Sequence, residues 1–160
     1  MRGVRIAFYK YNKKPLNLAI SLWTWLPNMF TPWYSHCEIG FLMNGEWEYF
    51  SSTMRNGAKG TRWIHESDMI KHRERWDIYD IVMYERSANE MVDTANSVEG
   101  RLYDILGIFG FFIPFVNSKQ KWYCSEVCWL ILSGEWKKRI SPRSFYRKAN
   151  KLCGLKLLNG

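Results

Sequence analysis

A chain of 160 residues, 47% hydrophobic and 17% aromatic, can bury one sizeable core and leaves no excess for a second, so residues 1–160 are expected to form a single domain. The net charge of +8 implies attraction to an acidic partner, but the basic residues are dispersed (Lys13-Lys14, Lys71 to Arg75, Lys119 to Lys121, Lys137 to Arg139, Arg143 to Lys151), which favours a solvated basic surface over a dedicated nucleic-acid site. No window reaches the ~18 to 20 apolar residues of a membrane span.

The opening residues Val4 to Tyr9 alternate and are rich in strand formers, which predicts a first strand. Their apolar run is broken by Lys10, Lys13, Lys14 and Pro15, and this does not read as a signal peptide. Leu18, Leu22, Trp25 and Leu26 share one side of a short amphipathic helix over 17–26, followed by a loop bracketed by Pro27 and Pro32. Asn44-Gly45 is a hairpin signal joining strands His36 to Met43 and Trp47 to Ser52. With those two as turn residues, Glu38 falls opposite Ser51 and Gly40 opposite Tyr49, on the face that also carries His36.

Met54 to Thr61 reads as a loop, and Trp76 to Tyr84 as another strand of a sheet expected to be antiparallel. From Ala88 the spacing turns helical, with Met91, Ala95, Val98 and Leu102 on one side. Glycines and Pro114 make the apolar stretch Ile105 to Val116 a broken helix or a loop. Trp122 to Leu132 is helical and stopped by Ser133-Gly134, and Ser141-Pro142 caps a last helix running to about Lys151. The expected fold class is α+β, an antiparallel sheet packed against helices.

Cys37, Cys124, Cys128 and Cys153 form no CxxC pair, so neither a disulfide framework nor a zinc site is expected, and a reducing compartment, the cytoplasm, fits best. The closest ligand pair, His36-Cys37, would point to opposite faces of a strand. No phosphate loop or dinucleotide fingerprint appears, so no cofactor is expected. Cys124 stands at the start of a helix, where backbone N–H groups favour a thiolate and can hold an oxyanion; the alternative is a small buried packing residue, the role expected of Cys128. His36 has Glu38 two positions on along the same face and Ser51 on the neighbouring strand, either of which can fix the imidazole tautomer; a half-buried structural histidine is the alternative. His65 and His72 lie in a charged stretch expected to be exposed.

The run from Tyr34 to Gly40 (Tyr-Ser-His-Cys-Glu-Ile-Gly), paired with that from Trp122 to Cys128 (Trp-Tyr-Cys-Ser-Glu-Val-Cys), resembles the circularly permuted papain-like group. That group holds the YiiX-like hydrolases and the lecithin retinol acyltransferase-like enzymes, relatives of the NlpC-type cell-wall peptidases. The segment Tyr49 to Arg62 resembles bacteriophage-encoded members, which would place the protein in the host cytoplasm. The resemblance implies Cys124 as nucleophile and His36 as general base. The family's third polar residue comes from a neighbouring strand, usually as His, Asn, Gln or Glu. Here that position offers Ser51, and Glu38 is ranked ahead of it.

The implied function is acyl transfer at an amide or ester bond through a thioester, by hydrolysis or to another acceptor. A lipid ester is suggested by Trp23, Trp25, Trp33 and Ile105 to Val116, which would also suit peripheral contact with an acidic membrane surface. A peptide or cell-wall amide is suggested by the family's other branch. The rival from another class is a catalytically idle module that engages a host factor, an acidic surface or nucleic acid.

Overall fold

The computed structural model describes residues 3–10, 34–54, 57–82, 85–103, 122–137 and 140–158. Their elements run β1 (Val4–Lys10), β2 (Tyr34–Met43), β3 (Glu46–Thr53), β4 (Gly60–His65), α1 (Glu66–Met69) with a 3-10 segment (Ile70–Arg75), β5 (Trp76–Ile81), α2 (Ala88–Ser97), α3 (Cys124–Ser133), α4 (Pro142–Cys153) and β6 (Leu155–Leu157). The six strands form one antiparallel sheet in the order β4-β3-β2-β1-β5-β6. The fold is therefore α+β, as the periodicities predict.

Alternation along the strands creates two unlike faces. One carries Ile6, Phe8, Cys37, Ile39, Phe41 and Phe50, and α2, α3 and α4 cover it with Met91, Val127, Ile131 and Phe145 to make the main core. The other carries Ala7, Tyr9, Tyr49 and Ile78 and closes against Met69 of α1. Turn chemistry sets the central hairpin: Asn44 and Gly45 both take positive φ, 52° and 89°, as a tight two-residue turn requires. The register Gly40 to Tyr49 follows as expected. A Cβ at Gly40 would lie 2.5 Å from the Tyr49 ring, so any larger residue would force the ring or the strand to shift.

Several sequence expectations are corrected. Residues 60–65, partly assigned to a loop and partly to an exposed charged stretch, form β4; their alternation is obscured by Arg62 on an inward face. The helix beginning at Ala88 ends at Ser97, and Leu102 is exposed, its backbone bridging to Gly60. Helix α3 starts at Cys124 because Trp122 bridges to Tyr103. Helix α4 continues to Cys153, and β6 was not foreseen. Strand β5 stops at Ile81. The helix over 17–26, the prolines bracketing its loop, Trp23, Trp25, Trp33 and Ile105 to Val116 lie outside the described residues. Among those described, no helix is long and apolar enough to cross a membrane.

Candidate functional site

The site forms where the sheet stops being continuous. The β2–β3 ladder ends at Ile39–Phe50, whereas β3 stays paired with β4 as far as Thr53–Gly60. Glu38 and Ser51 are thus opposite in register but lie one step beyond the last ladder pair. Side chains close the opening: the Ser51 hydroxyl donates to the Cys37 carbonyl at 2.7 Å, and that of Ser52 to the Trp122 carbonyl at 2.7 Å. The Cys128 thiol donates toward the Cys37 carbonyl at 3.7 Å, so Cys128 is a packing residue that anchors α3 over the gap.

This places the first turn of α3 against residues 36 and 37 together. Cys37 belongs to the main core, while His36 lies on the opposite face with its ring edge-on to Trp76, centroids 6.2 Å apart. Alternation therefore separates the two, as the sequence predicts, yet both interact with the Cys124 thiol. Burial alone would push that thiol up; the hydrogen bond from Cys37, then the charge and hydrogen bond of His36, outweigh it and hold Cys124 well below the ordinary thiol range. Cys37 moves the other way, pushed well up by burial and by its bond to Cys124, and so stays a donor.

Glu38 makes the next link. Its Oε1 lies 3.1 Å from His36 Nε2, with both side chains almost wholly buried. The same oxygen accepts from Arg62 Nη2 at 2.9 Å, and Oε2 accepts from Nη1 at 3.4 Å. Burial by itself raises the Glu38 carboxyl, but the His36 hydrogen bond and the Arg62 charge bring it down to about 2. An ionised carboxylate only accepts, so Nε2 carries a proton and donates it to Glu38.

Cys124, His36 and Glu38 are thus brought together in one chain of contacts. Ser51 is adjacent, but its proton is committed to a carbonyl. His65 caps α1 at Ser67 N, and His72 is exposed; neither approaches the site. Sequence reasoning missed Cys37 as a thiol neighbour and Arg62 as a partner of Glu38. The only signal for Arg62 was a lone cation two residues after Gly60, where no strand was expected.

The fold is similar to that in the crystal structure of the metalloprotein YiiX from Escherichia coli O157:H7, with a TM-score of 0.53 over 98% of this chain and 88% of that chain at 16% sequence identity. The YiiX-like fold implied by the two motifs is met at that level. No protein-family model and no curated protein matches the chain.

Proposed function

We propose that the protein is a thiol-dependent acyl-transfer enzyme that cleaves an amide or ester through a Cys124 thioester. The observation that carries this reading is the lowered Cys124 thiol at a helix N-terminus, in contact with a histidine whose far nitrogen is held by a buried carboxylate. With the Cys124 proton already held on His36 Nδ1, the thiolate attacks the carbonyl carbon. The oxyanion is held by the Cys124 N–H at the N-terminus of α3 and a second donor; the Glu126 N–H is already spent on the Tyr123 carbonyl at 3.1 Å. The imidazolium returns its proton to the leaving amine or alcohol as the C–N or C–O bond breaks. His36 then takes a proton from water or another acceptor, which displaces Cys124 from the acyl group. Glu38 serves as third member by holding the ring.

YiiX is named a metalloprotein, but the residues here do not suit an ion. Glu38 is engaged by a guanidinium and an imidazole, and no group of three or more His, Cys, Asp or Glu side chains among the described residues is arranged to hold a metal.

The test is the pH dependence of Cys124 alkylation by iodoacetamide, read by mass spectrometry in the native protein and in His36→Ala, with p-nitrophenyl acetate as an ester probe. The expected result is a labelling midpoint well below the ~8.5 of a free thiol. It should rise in His36→Ala, and ester turnover should be lost in Cys124→Ala while the fold is retained. Because Cys124 is only 1% exposed, the midpoint rather than the absolute rate reports ionisation. A midpoint at the free-thiol value that does not move in His36→Ala would overturn the reading and leave a non-catalytic binding module in its place.

A further inference from the structure

Strands β2, β3 and β4 set Glu38, Ser51 and Arg62 in one row on one face of the sheet, Ser51 being paired directly with Arg62 and one register step beyond the Ile39–Phe50 pair on the other side. Adjacent strands lie ~4.8 Å apart, so Arg62 must cross about 10 Å to reach β2. The middle position permits this only because Ser51 is small and its hydroxyl is turned away to the Cys37 carbonyl. The guanidinium passes over it and takes both carboxylate oxygens of Glu38, at 2.9 and 3.4 Å. Oε1 is the oxygen that His36 Nε2 also uses. A planar fork on both oxygens fixes the rotation of the carboxylate as well as its position, which a single lysine ammonium cannot do.

We propose that Arg62 is a positioning residue of this site, whose guanidinium orients the Glu38 carboxylate and through it presents the His36 ring to Cys124. This rests on the acyl-transfer reading and adds to it a member from a third strand, reached over Ser51. Arg62 touches no reacting atom. Without its cation, a carboxylate with 3% side-chain exposure keeps, among the described residues, only the imidazole as a charged or proton-donating partner.

The experiment compares Cys124 alkylation midpoints in the native protein, Arg62→Met, Arg62→Lys, Glu38→Gln and the double variant Glu38→Gln/Arg62→Met, with circular dichroism to confirm folding. The expected midpoint in Arg62→Met is raised by about one pH unit, which slows labelling about tenfold below both midpoints. Arg62→Lys should fall between it and the native protein. In the Glu38→Gln background Arg62→Met should shift the midpoint no further, because Arg62 acts through Glu38; this double variant also leaves no unpaired buried charge should the single variant fail to fold. A native midpoint in folded Arg62→Met, or an equal shift with and without Glu38, overturns the inference while the acyl-transfer reading stands. A native midpoint equal to that of His36→Ala overturns both.

Discussion

Glu38 is a buried carboxylate held ionised by two cationic or proton-donating partners, and its stabilising effect has a definite pH window. Its folded value of about 2 lies below its ordinary 4.5, so the stabilisation is complete above 4.5 and is lost as the pH falls from 4.5 through 2. The difference corresponds to about 3 kcal/mol at neutral pH. Urea unfolding of the native protein should therefore lose stability steeply between pH 5 and 2, and Glu38→Gln should flatten that part of the profile. Equal slopes in the two proteins would mean that the Glu38 carboxyl is not lowered by folding. The same residue shows why a buried ion pair needs both partners: removing Arg62 alone strands a charge, whereas replacing both removes the conflict.

At the scale of elements, the hairpin and the helix caps make separate predictions. Gly40 lies under the Tyr49 ring, which is fully buried and tied by its hydroxyl to Glu66 at 3.2 Å, so the ring has little freedom to retreat. Gly40→Ala should destabilise by about 1–3 kcal/mol in urea titrations, the usual cost of overpacking; an unchanged midpoint would show that the β2–β3 hairpin can shift without penalty. Helix α2 begins with a reciprocal capping box, in which Ser87 Oγ accepts from Glu90 N at 3.2 Å and Glu90 Oε2 accepts from Ser87 N at 2.7 Å. Ser87→Ala should cost about 1 kcal/mol by the same measurement, with no change in the alkylation of Cys124. Helix α3 is held differently: Gly134, at φ 75°, ends it, and Cys128 and Ser125 fasten it to backbone carbonyls of Cys37 and Ile140. These anchors set where its first turn, and hence Cys124, meets the sheet.

Across the whole molecule, the aromatic content gathers around Phe8. Its ring stacks on Tyr34 at 4.7 Å and meets Phe145, Tyr146 and Tyr79 at 5.6, 5.5 and 5.9 Å, joining β1, β2, β5 and α4. Phe8→Ala should cost about 3–5 kcal/mol, a large share of the ~5–15 kcal/mol that holds a typical domain folded. The expected readout is a lower urea midpoint with an unchanged slope; a change in slope would indicate that the core no longer unfolds as one unit. The basic surface is partly engaged internally: Arg5 pairs with Asp80 at 2.9 Å and lies 3.8 Å over the Trp47 ring, and Lys10 pairs with Asp77 at 3.1 Å. These pairs leave the net charge of +8 unchanged and lower only the number of cations free to meet an acidic partner.

Local patterns in the sequence determined the α+β class, β1 to β3, most of β5, the Asn44-Gly45 turn and the helices opening near Ala88, Trp122 and Ser141, because strand alternation, helical spacing and turn and cap chemistry depend on neighbours within a few residues. The same local rules placed His36 and Glu38 on one face and Cys124 in the first turn of a helix. Only the tertiary structure decided that these segments meet. The decisive event is non-local: the β2–β3 ladder stops at Ile39–Phe50, and α3 settles over the opening, so His36 and Cys37 reach one thiol from opposite faces of a strand. Arg62 was hidden for a related reason. A cation on an inward strand face breaks the pattern by which strands are recognised, and the carboxylate that makes it tolerable lies two strands away, at a distance in sequence that no periodicity spans.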